Sequence, residues 1–372
     1  MADVSLTAAT ERRRLELFPW HVAVAVTLIC LLGVWNLASA SRTAHAPVWI
    51  AQAWIMGAGA LLALAVTLFD HRNYQRLAWV FYGVVIALLV LVYLKGRVVM
   101  GARRWIGFGS FNLQPSELAK IAVIMALASW FHFDEDRRKS PRGLLGTLIP
   151  LGLTLLPAVL ILRQPDLGTA LVVVAIGVTM LLFSSIRWKT VALLGAIAIV
   201  GGSFAYSHLK PYQRKRIETF LNPEGDALGA GYHAMQSKIA VGSGQALGKG
   251  WGQGTQTMLS FLPEQHTDFI FSVWAEEHGF VGSLVLLLLY FWLIASGVDI
   301  AGNARDRFGH FLAVGVTAML FWQMTINIGM VTGVLPVVGV TLPLMSYGGS
   351  SVLSVFLGLG LLLNVAMRRF IN

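Results

Sequence analysis

The stretch FPWHVAVAVTLICLLGVWNLAS, residues 18–39, contains no Asp, Glu, Lys or Arg. An α-helix of that length covers about 30 Å, the thickness of a bilayer's hydrocarbon core. Glu11-Arg12-Arg13-Arg14 precedes it, and no small-residue cleavage site leads from it into a soluble chain. It therefore reads as a first membrane-spanning helix and not as a removed signal. Working outward, apolar runs of spanning length recur at 48–69, 76–94, 117–133, 143–162, 167–186, 190–207, 269–297, 309–334 and 344–366. The expected fold class is an all-α integral membrane protein of about ten transmembrane helices. An even number of spans puts both termini on one side. One long loop, 208–268, joins the seventh and eighth helices, and the chain 1–372 reads as a single polytopic membrane domain.

Composition agrees with this reading. Only 12% of the 372 residues are charged and 56% are hydrophobic, against about 25% charged in an ordinary soluble domain. That excludes a soluble enzyme, a nucleic-acid-binding domain and a disordered chain. The formal charge of +10 would suggest nucleic acid in a soluble protein; here no nucleic-acid partner is expected, and the charge must first be divided between the two sides. The single cysteine, Cys30, excludes an intramolecular disulfide and a cysteine-based metal site.

Fifteen Lys and Arg fall in tails and short loops on the side of the termini, among them Arg12, Arg13, Arg14, Arg137, Arg138, Lys139 and Arg142. Outside the long loop, where charge counts weakly, seven lie opposite: Arg42, Lys95, Arg97, Arg103, Arg104, Lys120 and Arg163. The positive-inside rule makes both termini cytoplasmic and the long loop extracytoplasmic. The inner loops are short and carry no phosphate-binding G-x-x-x-x-G-K-[ST], which excludes ATP-driven transport by this chain alone. Chemistry is expected outside the membrane or within it. No internal repeat and no duplicated pair of broken helices marks an inverted-repeat transporter.

Four outer segments carry candidate chemistry. The first is WIGFGSFNLQPSELAK, residues 105–120, preceded by Arg103-Arg104. Pro115 suits a first helical turn, and Glu117 and Lys120 are i,i+3 neighbours on one helix face. The bland reading is an interfacial Trp105, snorkelling cations and a capping ion pair. The functional reading is a cationic patch for a phosphate or pyrophosphate head group. The second is RQPDLGTA, residues 163–170, where Asp166 would cap the sixth span and Arg163 could touch an anion.

The third is the long loop. Its GSGQALGKGWGQGTQ, residues 242–256, lets the backbone approach a ligand closely, with Lys249 beside it. A short interfacial helix is expected at 232–239. The loop ends at Asp268, at the mouth of the eighth span, where partial desolvation would raise a carboxylate toward a general base's range. A helix-capping Asp268 with solvated Glu264 and His266 is the alternative. Glu276 and Glu277 sit deeper, where a carboxylate is costly and normally paired or functional. The fourth is NIGMVTGVLPVVGVTLPLMSYGGSS, residues 327–351. Two prolines and a Ser-Tyr-Gly-Gly-Ser-Ser run do not make an undisturbed helix in lipid, so a broken or re-entrant element lining a polar cavity is expected. Ser346 and Ser350 belong to it.

These stretches, with FLPEQHTDFIFSVWAEEHGFVG at 261–282, resemble the SEDS family (shape, elongation, division and sporulation), over nearly the whole chain. Leu335-Pro336-Val337-Val338-Gly339 is more similar to the elongation-type branch than to the division-type branch. The resemblance implies a processive, inverting peptidoglycan glycosyltransferase that polymerises lipid II into β-1,4 glycan at the outer face of the bacterial cytoplasmic (inner) membrane. It implies Asp268 as the essential loop aspartate, here the general base. Arg103, Arg104, Trp105, Glu117, Lys120, Arg163, Asp166, Lys249, His266, Ser346 and Ser350 are the expected substrate contacts. A divalent cation, Mg or Mn, is left open. The implied partners are a class B penicillin-binding protein and other elongation-complex proteins. The competing readings are a lipid II flippase and a non-catalytic scaffold for the transpeptidase.

Overall fold

In lipid every backbone amide must be satisfied within the chain, so each long apolar run becomes a helix. The computed structural model describes residues 18–42, 47–69, 71–99, 102–108, 111–134, 143–206, 214, 218–220, 230–259, 261 and 264–368. The Arg12-Arg13-Arg14 cluster, the inner cations Arg137, Arg138, Lys139 and Arg142, and most of 207–229 lie outside them.

The helices run α1 (Trp20–Ala40), α2 (Val48–Leu68), α3 (His71–Lys95), α4 (Pro115–Phe133), α5 (Leu144–Arg163), α6 (Leu167–Phe183) and α7 (Trp188–Tyr206). After them come α8 (Ala230–Ser243), the short α9 (Thr255–Met258), α10 (Ile270–Gly302), α11 (Arg307–Val331) and α12 (Gly349–Arg368). Among the described residues, 8 helices are long and apolar enough to cross a membrane, and α6 and α7 add two shorter apolar ones. This is a multi-pass integral membrane protein with about ten spans, as the hydropathy predicts.

The helices form a centre and a periphery. Most of α4, α11 and α12 is buried, whereas less than half of the apolar windows of α1, α2, α3, α5 and α10 is. Trp54, Leu145 and Trp188 stand out from the surface, an arrangement costly in water and free of cost against acyl chains. Around the centre, α12 packs on α2, α4 on α3 and α11, α11 on α6, and α10 on α11 and α1.

Three features depart from a plain bundle. First, in a chain otherwise all-α, the outer segment between α3 and α4 folds as an antiparallel meander of β1 (Arg97–Val99), β2 (Ala102–Phe108) and β3 (Phe111–Leu113). Its valines, tryptophan and phenylalanines favour strands, and glycine-bearing joints separate the runs. Arg97 faces Trp105 across β1–β2, and Ile106 faces Leu113 across β2–β3.

Second, α10 is interrupted at Gly279, whose φ of 64° and ψ of −160° belong to glycine. Four groups of the helix ladder lose their ordinary partners there, and the glycine-rich loop takes them. Phe280 and Val281 amides donate to Gln245 and Ala246 carbonyls at 2.8 and 3.0 Å, while Lys249 and Gly250 amides donate to Glu276 and Glu277 carbonyls, both at 3.0 Å. The loop is thus threaded into the helix's own hydrogen-bond pattern. The expected short helix in this loop is α8, longer at both ends than predicted.

Third, residues 332–348 form no helix between α11 and α12. Side chains satisfy the backbone instead. Asn327 Nδ2 donates to the Val340 carbonyl at 2.7 Å, Gln52 Nε2 to the Ser346 carbonyl at 2.9 Å, and the Tyr290 hydroxyl to the Pro343 carbonyl. The broken element expected from the two prolines is present.

Candidate active site

That broken segment meets β2, β3, α4, the N-terminus of α6 and the end of the long loop around one cavity of about 570 Å³. Arg104, Trp105, Glu117, Lys120, Asp166, Asp268 and Ser350 line it, together with Gln114, Glu264, Thr267, Gln323, Gly339 and Tyr347.

Asp268 lies two residues before α10, outside the span. The turn carrying it closes through its amide, which donates to the Glu264 carbonyl at 3.2 Å. The Asp268 carbonyl accepts from Asn327 Nδ2 at 2.9 Å, the same amide group that holds Val340. One buried asparagine therefore ties the aspartate to the broken segment. Gly339, at φ 76°, leaves the carboxylate room: a Cβ there would sit 3.2 Å from Asp268 Oδ2. Burial pushes the Asp268 carboxyl up to about 6 from its ordinary 3.8. The charges of Glu264 and Asp166 add to the rise, and the Thr267 hydrogen bond and Arg104 oppose it.

Ser346 and His266 do not line the cavity; they position its rim. Ser346 Oγ accepts from the Leu342 amide at 2.8 Å and donates to the Thr267 carbonyl at 2.6 Å. The His266 carbonyl accepts from the Tyr347 amide at 2.8 Å. These bonds stitch residues 342–347 to the two residues before Asp268.

The opposite wall is built on α4. The buried Lys120 pairs with Glu117 at 2.7 Å, and Ser354 Oγ donates to the same carboxylate at 3.1 Å. Asp166 caps α6 by accepting from the Thr169 amide at 3.3 Å. It also accepts from Gln114 Nε2 at 3.0 Å and Ser116 Oγ at 3.2 Å, so the cap also fixes the start of α4. Ser350 Oγ accepts from the Gln114 amide and donates to the Asn112 carbonyl, both at 3.0 Å, joining α12 to the same corner. Arg104 Nε donates to the Gln164 carbonyl at 3.2 Å, and its Nη2 to the Pro165 carbonyl.

Three expected contacts lie elsewhere. Lys249 pairs with the buried Glu276 at 2.6 Å, at the interrupted helix. Arg103 and Arg163 line a separate groove. Sequence reasoning missed Gln114, Gln323 and Asn327, uncharged residues whose signal is a carboxamide buried in an apolar helix or at its entrance.

The acidic residues at the cavity are largely committed, Glu117 to Lys120 and Asp166 to Gln114, Ser116 and the α6 N-terminus. No group of three or more His, Cys, Asp or Glu able to hold a metal forms among the described residues.

The FtsW, RodA and SpoVE family, described as cell cycle protein, matches residues 15–370. Over 315 residues the chain is 43% identical to the peptidoglycan glycosyltransferase MrdB of Escherichia coli (strain K12), covering 84% of this chain and 83% of that one. A chain from a structure of a peptidoglycan synthase complex, concerned with the coordination of polymerization and crosslinking, matches at a TM-score of 0.82 and 34% identity. The match covers 95% of this chain and 99% of that one. The crystal structure of the Thermus thermophilus rod shape determining protein RodA matches at a TM-score of 0.71 and 32% identity, over 95% of this chain and 98% of that one. On a match from residue 15 to residue 370, with the ten-span fold and the broken segment in place, this chain belongs to the FtsW, RodA and SpoVE family, also called SEDS.

Proposed function

We propose that this chain is a peptidoglycan glycosyltransferase, polymerising lipid II at the outer face of the bacterial cytoplasmic membrane during cell elongation. Asp268 is its general base. The observation that carries this reading is a half-buried carboxylate, raised to about 6, at the wall of a polar cavity that also holds Arg104 and Lys120. The names of the relatives support the reaction class.

The chemistry balances without a covalent enzyme intermediate. The acceptor sugar's 4-hydroxyl gives its proton to the Asp268 carboxylate as its oxygen attacks the donor's anomeric carbon. The bond from that carbon to the diphosphate breaks, and the polyprenyl diphosphate leaves with the electron pair. Attack opposite the leaving group turns an α-linked donor into a β-1,4 product. Arg104 offers positive charge where the leaving group gains negative charge. Glu117 and Asp166 hold Lys120 and the α4–α6 corner in place. The whole chain acts as one polytopic unit with a class B penicillin-binding protein and other elongation-complex proteins; the synthase complex among the structural relatives supports the first of these.

The test is reconstitution of the purified protein with its transpeptidase partner and lipid II. Glycan ladders are expected from wild type and none from Asp268→Asn. Ladders persisting in Asp268→Asn would remove the base assignment. Lipid scrambling without ladders would mark a flippase, and retained cell shape in Asp268→Asn cells a scaffold.

A further inference from the structure

Successive side chains of a strand leave it on opposite faces, and Arg103 and Arg104 divide in this way. Arg104 turns into the cavity of Asp268. Arg103 turns into a second groove of about 440 Å³, lined by Tyr93, Leu94, Arg103, Arg163, Gln164 and Pro165. The wall between the two is the Gln164–Pro165 turn, held by Arg104 through both carbonyls.

The second groove has a definite chemistry. Two of its six lining residues are arginines and none is acidic. No hydrogen bond or ion pair engages either guanidinium among the described residues. Its other edge is the outer end of α3, where Tyr93 and Leu94 are 48% and 62% exposed on a helix that faces lipid. A paired cation site beside an apolar, lipid-facing edge fits a ligand with an anionic head and an acyl or prenyl tail. Guanidinium forks match phosphate oxygens in geometry as well as charge.

We infer that Arg103 and Arg163 form a binding site for a lipid phosphate head group, entered sideways from the outer leaflet and separate from the cavity of Asp268. The head group sits between the two guanidiniums and the tail lies along Tyr93 and Leu94. Two sources share this chemistry, a prenyl diphosphate and an anionic phospholipid of the leaflet. The inference rests on the groove alone and does not require the glycosyltransferase reading.

The test is native mass spectrometry of the full chain released from neutral detergent. The probes are geranylgeranyl diphosphate and phosphatidylglycerol, with geranylgeraniol and phosphatidylcholine as uncharged or zwitterionic controls. Wild type should retain the anionic probes over the controls. The double variant Arg103→Gln/Arg163→Gln should weaken that retention by about tenfold or more, since charge-assisted hydrogen bonds to two cations are lost. Arg103→Lys/Arg163→Lys, which keeps the charge, should stay closer to wild type than to the Gln pair. Preference for the diphosphate identifies a prenyl carrier, and equal or better binding of phosphatidylglycerol identifies a leaflet lipid; either supports the site.

A photoreactive geranylgeranyl diphosphate applied to wild type serves if the Gln pair does not fold. It should label peptides around 93–94 and 163–165, and should do so equally in Asp268→Asn. Unchanged retention in a folded Gln pair, or labelling confined to the residues around Asp268 and Gly339, would overturn the inference.

Discussion

Lys249 is fastened to Glu276 twice: its backbone amide donates to the Glu276 carbonyl at 3.0 Å and its ammonium meets the Glu276 carboxylate at 2.6 Å. The carboxylate is wholly buried and also accepts from Thr255 Oγ1 at 3.0 Å and the Gln256 amide at 3.2 Å. Breaking such a pair leaves a buried charge without its cation. Lys249→Ala should therefore cost about 1–3 kcal/mol, discounted for the partial exposure of the lysine. Thermal unfolding in detergent reads it. Adding Glu276→Gln to Lys249→Met should restore part of the loss, and an additive double-mutant cycle would show that the two do not act as a pair.

Gly279 makes a second test of the same junction. A Cβ there would meet the Gly248 amide nitrogen, and the Ala246 carbonyl at 2.8 Å, on a backbone that only glycine adopts readily. Gly279→Ala should destabilise by about 2 kcal/mol or more and should expose the loop to limited proteolysis near 244–252. Gly83, in the middle of α3, has nothing within 4 Å of the point where a Cβ would stand, so Gly83→Ala should be neutral or slightly stabilising.

Asp268 should govern the pH profile. With its carboxyl raised to about 6, the rate of glycan formation should fall tenfold per pH unit below that value and level off above it. The stability effect has the opposite sense. Its ordinary value is 3.8, so the folded state holds a proton between about 4 and 6 that the unfolded state has lost, and stability falls as pH rises through that window. Asp268→Asn should therefore raise the unfolding temperature by a few degrees at pH 7.5 and hardly at pH 4, while abolishing activity.

The charges around Asp268 should move that profile in opposite directions. Arg104 lowers the Asp268 value and Glu264 raises it. Arg104→Gln should shift the acid limb to higher pH, and Glu264→Gln to lower pH. A pH series on each purified variant checks both, and a common direction of shift would sink the electrostatic account.

Local patterns are legible in the chain, and distant pairings are not. The spans follow from hydropathy, which is a property of consecutive residues. Glu117 with Lys120 and Asp166 with the Thr169 amide are three residues apart, so helical periodicity brings them together. The broken segment at 332–348 announces itself through Pro336 and Pro343. Lys249 is different: its position in a glycine run suggests a ligand cation, and its partner Glu276 lies 27 residues on, beyond any local rule. Arg103 and Arg104 read as one patch in the sequence although β2 separates them, because the partner strands β1 and β3, of three residues each, are too short to announce a meander. Asn327 binds two carbonyls from different segments, a role visible only once the fold has closed.

Gln52 has a consequence for how this protein is made. It is wholly buried in α2, and its carboxamide is satisfied by the Ser346 carbonyl, 294 residues later in the chain. During synthesis α2 enters the bilayer long before that partner leaves the ribosome. The outer end of α2 therefore acquires its partners for this carboxamide, the Ser346 carbonyl and the Gly348 amide, only with the C-terminal segment. One buried carboxamide thus ties the second helix of the chain to its last broken segment, so the first and last quarters of the protein complete each other.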